Sequence, residues 1–188
     1  MSGPTLLTPR LLLRLPEAGD FEPWAAFAAD AETMRFLGGA MSRTEAWRNI
    51  CTVAGAWSIR GFGMFSVIER ASGRWIGRIG PWQPVGWPGT EIGWGLARAF
   101  CGQGYALEAA RATMDYAVDV LGWRHIIHTI DPDNAASIRL AERLGSRHEG
   151  PTRMPAPFAD RRIDLWGQSA AAWRSARAAQ AATDSSVG

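Results

Sequence analysis

The sequence predicts a mixed α/β chain of the α+β kind, and three observations carry that reading. Apolar residues recur at three and four positions over 42–57 and again after Gly104, the period of an amphipathic helix. Between these helices lies a run of short extended segments broken by glycine and proline. The second half then alternates strand, helix, strand, helix, strand. With 188 residues and 47% hydrophobic content, the chain is long enough for one well-buried core. We expect a single domain over residues 1–182, with 183–188 fraying.

The elements follow in order. "TPRLLLRLP" (8–16) reads as a short strand ended by Pro16, and Asp20 can cap a helix running through Trp24 and Phe27 toward Asp30. "DAETMRFLGG" reads as a second short helix stopped by Gly38 and Gly39. "SRTEAWRNICTVAGAW" opens with a capping box, Ser42 with Glu45, and places Trp47, Ile50, Val53, Ala54 and Trp57 on one face. Trp47 and Trp57 are therefore expected in the core. "FGMFSVIER" and "RWIGRIGPWQ" flank Ala71-Ser72-Gly73 as a hairpin, and "TEIGWGLA" (90–97) follows a Pro- and Gly-rich loop. After Gly104 a helix carries Leu107, Ala110, Met114, Ala117, Val118 and Leu121 on one face. Glu108, Arg111, Asp115 and Asp119 occupy the other, and Gly122 ends it. "RHIIHTID" is a strand, and "DNAASIRLAERLG" is a helix capped by Asp133 or Asn134 and stopped by Gly145. "RRIDLWGQSA" is a late strand, followed by an alanine-rich helix over 171–182.

Composition removes several chemistries. All twenty positive side chains are arginine, because the sequence contains no lysine. That excludes a phosphate loop ending in Gly-Lys and any lysine Schiff base. A net charge of +2 with scattered arginines gives no basic stripe for nucleic acid. His125, His128 and His148 stand at no metal-ligand spacing, so no metal is expected. No apolar run approaches the roughly 20 residues of a membrane span. With only Cys51 and Cys101 and no recognisable leader, the chain reads as cytoplasmic.

Gly102 and Gly104 precede the long helix. The first turn of a helix leaves about four N–H groups unpaired, and the macrodipole adds roughly half a positive charge there. Glycine removes the side chain that would hold a ligand off. A phosphate or pyrophosphate suits such a point, although two glycines also make a tight strand-to-helix turn with no ligand at all. A dinucleotide fingerprint would require Gly or Ala where Leu107 stands.

"RAFCGQGYALEAARATMDYAVDVLG" resembles the acetyl-coenzyme A loop and following helix of the GNAT N-acetyltransferases. "TPRLLLRLPEAGDFEPW", "EIGWGLA" and "DPDNAASIRLAERLG" are similar to the branch that holds the ribosomal-protein alanine acetyltransferases, as are "EGPTR" and "RRIDLWGQSAAAW". The match extends from about Thr8 to Trp173. It implies a central, mostly antiparallel sheet splayed into a V and flanked by helices. Acetyl-coenzyme A would lie between the strands at 90–97 and 124–131. Its pantetheine arm would pair with backbone at Leu96, Ala97 and Arg98 as a surrogate strand. Its pyrophosphate would rest on the N–H groups of Gly102, Gln103, Gly104, Tyr105 and Ala106, with Asn134 as a further coenzyme contact or simply an N-cap.

Acetyl transfer to an amine needs a neutral nucleophile, although an α-amine titrates near about 8 and a lysine near about 10.4. The resemblance points to Glu91 as the base, acting directly or through water, against its reading as an ordinary strand glutamate. Many relatives protonate the departing thiolate with a tyrosine, but Ala141 stands at that position. The implied donor is then Ser137, which could equally serve only the helix start. Asp164 reads as structural and Cys101 as packing. Trp82 and Trp94, with Trp87 nearby, are candidate walls of an acceptor groove. The expected activity is acetyl transfer from acetyl-coenzyme A to a primary amine, on a protein amino terminus or a small molecule. The competing reading is a non-catalytic acyl-coenzyme A sensor. A second copy of the chain is a candidate partner; nucleic acid and membrane are not.

Overall fold

A computed structural model describes residues 3–185. The chain begins with β1 (Leu6–Leu7) and β2 (Leu11–Arg14), then α1 (Phe21–Ala29), α2 (Ala31–Met34) and α3 (Arg43–Arg60). Next come β3 (Phe65–Glu69), β4 (Trp75–Trp82) and β5 (Glu91–Leu96), then α4 (Tyr105–Asp119) and β6 (His125–Ile130). The last elements are α5 (Ala135–Arg143), β7 (Arg147–Thr152), β8 (Ile163–Ser169) and α6 (Ala170–Ser185). The strands form one sheet in the order β1-β2-β3-β4-β5-β6-β8-β7. Every neighbouring pair is antiparallel except β5 and β6, which α4 joins as a crossover. The mixed α/β reading with a mostly antiparallel sheet therefore holds.

Alternation along the strands gives the sheet two covered faces. Phe65, Val67, Ile79 and Ile92 pack with Met114 and Ala117 of α4. Met64, Ile68 and Trp75 pack on the other side with Trp24 and Phe27 of α1 and Val53 of α3. A bulge interrupts this rhythm in β4, where Val67 pairs with Gly77 but Ile68 pairs with Trp75. The extra residue lets Ile76 and Ile79, three apart, share one core, and turns Trp75 and Arg78 to the other face. Pro81 is tolerated in this inner strand because the β3 pairing ends at Ile79, leaving Pro81 without a β3 neighbour.

Several local expectations need adjustment. Asp20 occupies the N-cap position of α1 without capping it. Its buried carboxylate instead takes Arg14 at 2.7 and 2.8 Å, the Ser66 hydroxyl and the Glu17 N–H. Trp47 is not core: it is 50% exposed near the start of α3, where it packs edge-on with Phe21 at 5.1 Å between centroids. The periodicity that places it on the apolar face says nothing about where the sheet ends. Trp57 is buried and donates to the Met64 carbonyl. The Ser42–Glu45 capping box forms, and Asn134 is the residue that caps α5. The short strand β7, RHEGPT, carries Gly150 and Pro151 and has little apolar alternation. It lies at the sheet edge, where a missing N–H costs nothing, so its sequence gave no strand signal. The backbone of α6 runs to Ser185, and 186–188 of the expected tail lie outside the described residues.

Candidate active site

The parallel pair β5 and β6 touches at a single register point, Glu91 opposite Ile127, braced by Ile127 N donating to Thr90 O. Beyond it the strands part. His128 wedges the gap: its Nδ1–H donates to Ile92 O at 2.8 Å, and its Nε2 accepts from Ser146 Oγ at 3.0 Å. Gln168 Nε2 completes the chain by donating to Ser146 Oγ. Burial holds the His128 imidazole neutral, with its pKa pushed down to about 4. Its ring lies 4.6 Å from that of Trp94. Past this wedge, β5 faces an opening rather than a partner strand. Ala97 N–H is already committed to Ile76 O, and the Ala97 and Arg98 carbonyls accept from Phe100 and Cys101. Within the predicted pantetheine segment, the groups left for a strand-like ligand are the Leu96 N–H, the Leu96 carbonyl, which takes a long 3.9 Å contact from Cys101 Sγ, and the Arg98 N–H.

A single 3-10 turn, Arg98–Phe100, leads to the two glycines. Gly102 (φ +76°) and Gly104 (φ +80°) both adopt left-handed backbone, a conformation that costs other L-residues about 1–2 kcal/mol. Gly104 is the N-cap of α4 and has no side chain to cap it. The first-turn N–H groups, Tyr105 and Ala106 among them, therefore emerge uncapped, and a Cβ added at Gly102 would meet nothing within 4 Å. Arg98 turns its side chain away to Asp30 and Glu32, so any part it plays here is main-chain. Arg10 occupies the place instead, brought there by contacts with residues more than ninety positions away that no local pattern signals. Its Nε pairs with Glu108 at 2.6 Å, Nη1 donates to Gln103 O at 2.9 Å, and Nη2 would lie 3.3 Å from a Cβ at Gly104. Glu108, assigned by periodicity to the solvent face of α4, is half-buried and also accepts from the Thr8 hydroxyl. Tyr105 donates its hydroxyl to Glu69.

Under the splayed strands lies a cavity of about 370 Å³. Trp82, Trp87, Met64, Phe158, Met154 and Ile163 give it apolar walls. Glu91 enters from β5, 5% exposed and held at both oxygens. Oε1 accepts from Thr129 N at 2.9 Å and Thr129 Oγ1 at 2.8 Å, and Oε2 accepts from Trp87 Nε1 at 2.5 Å. Burial raises its pKa above the usual carboxylate range, and these hydrogen bonds only partly offset that. Gly93 and Gly95 follow Glu91 on the same strand face. A Cβ at Gly93 would lie 2.7 Å from Met64 Cε, and one at Gly95 would lie 2.9 Å from Phe27 Cζ. The alternation "EIGWG" thus leaves this face bare where core side chains come close.

Ser137 and Asn134 border the same cavity from the first turn of α5. Asn134 Oδ1 accepts from Ser137 N at 3.1 Å. Ser137 Oγ accepts from Trp94 Nε1 at 3.1 Å, which leaves its own proton for another acceptor. Ala141 is fully buried and offers no hydroxyl at the position where the resemblance would place a proton donor. The structure thus brings Glu91, Ser137, Asn134, Trp82 and Trp94 to one cavity, with the glycine turn at Gly102–Gly104 beyond the end of β5. Asp164 lies apart, paired with His148 at 2.8 Å across β7 and β8. Burial pushes the Cys101 thiol up, against a role as an acyl carrier. His128 and Thr129 are site residues that sequence reasoning missed, since their partners lie 18 to 38 positions away.

Comparison with known proteins identifies the family of this fold. Residues 10–147 match the acetyltransferase (GNAT) domain. The chain is 30% identical over 146 residues to the Bacillus subtilis (strain 168) protein called uncharacterized N-acetyltransferase YnaD, covering 77% of this chain and 84% of that one. It is similar to the crystal structure of an acetyltransferase from Agrobacterium tumefaciens str. C58, with TM-score 0.79 and 30% identity over 89% of this chain and 95% of that one. A structure described as a putative ribosomal-protein-serine acetyltransferase from Vibrio cholerae shares the fold at TM-score 0.74 and 22% identity, over 90% and 99% of the two chains. The chain therefore belongs to the GNAT family of acetyltransferases.

Proposed function

We propose that residues 1–182 act as one domain that transfers acetyl from acetyl-coenzyme A to a primary amine by direct attack, with both substrates bound together. The observation that carries this reading is the convergence on one cavity of a buried, oriented Glu91 and a Ser137 hydroxyl with a free proton. Bound acetyl-coenzyme A supplies an activated thioester. Glu91, made more basic by burial, takes the proton of the incoming ammonium through water, freeing the nitrogen lone pair. As the new C–N bond forms and the C–S bond breaks, Ser137 Oγ gives its proton to the departing sulfur, and the second proton of the attacking nitrogen passes through water to restore the Ser137 hydroxyl. Main-chain amides of Gly102, Gln103, Gly104, Tyr105 and Ala106 hold the diphosphate, and Arg10 adds a charge beside them. The fold shared with ribosomal-protein acetyltransferases keeps a protein amino terminus among the acceptor classes.

The test is thiol release from acetyl-coenzyme A over a panel of amines and amino-terminal peptides. Release with at least one acceptor, lowered 100-fold or more in kcat by Glu91→Gln while coenzyme A binding is kept, supports the assignment. Full activity in Glu91→Gln removes it from the base role. The packed Ala141 favours a second reading, a non-catalytic acyl-coenzyme A sensor. Coenzyme A binding without turnover on any acceptor would select it.

A further inference from the structure

The cavity that holds Glu91 also contains a cation with no counter-ion. Arg78 sits in the middle of β4, turned toward the cavity by the bulge that precedes it. Its guanidinium lies over the rings of Trp24 and Phe27, at 5.7 and 6.0 Å from their centroids. Its Nε is fully buried with no hydrogen-bond partner. Its Nη1 donates only to the thioether of Met64, at 2.7 Å, a weak acceptor. Among the described residues no carboxylate comes within ion-pair distance of it. Burial draws its pKa down to about 10, which leaves it charged at neutral pH. Glu91 is close enough to act on that charge, but both its oxygens are committed to Thr129 and Trp87. A buried guanidinium without a partner is costly unless something supplied from outside completes it.

The register shows where such a group would sit relative to the chemistry. Arg78 pairs with Gly95, Gly80 with Gly93, and Trp82 with Glu91. On this face Gly93 and Gly95 separate the cation from the carboxylate, with the Met64 side chain lying over Gly93 between them, and Arg78, Met64, Gly93 and Glu91 all line the cavity. A second guanidinium, Arg161, also lines the cavity, held by the Phe36 and Arg35 carbonyls. Asn49, Thr129, Asp131, Asn134 and Ser137 also border the cavity, and Trp82, Trp87, Met154, Phe158 and Ile163 supply apolar walls.

We infer that the acceptor is a small zwitterion of amino-acid type, with its carboxylate on Arg78, its amine toward Glu91 and an apolar side chain among the tryptophans. This rests on the transferase reading of the same cavity. A polyamine would place a cation against Arg78, and a peptide amino terminus would offer it no formal charge.

The experiment compares matched acceptors with the full-length protein: leucine, isopentylamine and leucinamide, and phenylalanine, phenethylamine and a phenylalanyl peptide. We expect kcat/KM for the free acids to exceed that of each uncharged counterpart at least 10-fold. Arg78→Met should reduce that ratio to within about twofold without lowering turnover of the simple amines, and Arg78→Lys should keep part of it. Equal or better turnover of the amines, amide or peptide by the wild type overturns the inference and leaves acetyl transfer standing. So does an Arg78→Met variant that loses all acceptors alike while remaining folded. If no acceptor is turned over, the transferase reading fails separately, and thermal melting with N-acetyl-leucine against N-isopentylacetamide decides this point. Selective stabilisation by the acid, lost in Arg78→Met, supports a carboxylate site; no selectivity removes it.

Discussion

His128 is a single residue on which the shape of the site depends. It fills the apex between β5 and β6 and is neutral only because it is buried among partners that suit a neutral ring. Its folded pKa, about 4, is depressed from an ordinary 6.5. As pH falls below 6.5 the unfolded chain takes up this proton and the folded one does not. Stability is therefore present above 6.5 and drains away down to about 4, by up to about 3 kcal/mol. Glu91, raised by burial, works in the opposite direction, so the informative comparison is between proteins. His128→Gln should be less stable at pH 7 and show a shallower loss of Tm between pH 6.5 and 4. Parallel curves for the two proteins would refute a neutral, buried His128.

At the scale of the element, α4 combines two functions in one sequence. Its apolar face anchors it through Met114 and Ala117 to the sheet, and its uncapped first turn presents donors. Side-chain N-caps satisfy such donors, and glycine in their place costs a helix only a few tenths of a kcal/mol, so Gly104 leaves the donors open at little loss of stability. Gly104→Ala should cost about 1–2 kcal/mol from the left-handed backbone, since its Cβ also approaches Arg10. Arg10→Met should weaken coenzyme A binding several-fold in equilibrium titration while leaving pantetheine, which lacks the diphosphate, unaffected. Equal losses for both ligands would make Arg10 purely a structural partner of Glu108.

At the scale of the molecule, the coenzyme would lie across the one parallel junction of the sheet and tie its two halves together. Coenzyme A at about 100 times its Kd should add about 2.7 kcal/mol of stability, which for a chain of this size is about 5–10 °C in Tm. A melting curve unmoved by millimolar coenzyme A would contradict the assigned cleft. The gain should shrink in Gly104→Ala, because the same amides carry it.

Local order in the residues was enough to place most elements. The 3.6 period set α3 and α4, glycines 104 and 145 marked helix ends, and the capping box at Ser42 formed as written. The strand β7 escaped because edge position, rather than apolar alternation, makes its sequence acceptable. Trp47 was misplaced because a helix face has no knowledge of where its neighbour stops.

What the sequence by itself determined is the order of most elements and the bare turn at Gly102–Gly104, since both arise from contacts within a few residues. Only the tertiary structure decided that Glu91 would be buried against Thr129, that Arg10 would stand at the turn, and that a bulge would aim Arg78 into the cavity. Burial and charge at those points are sums over partners tens of residues away, and no local pattern encodes such a sum.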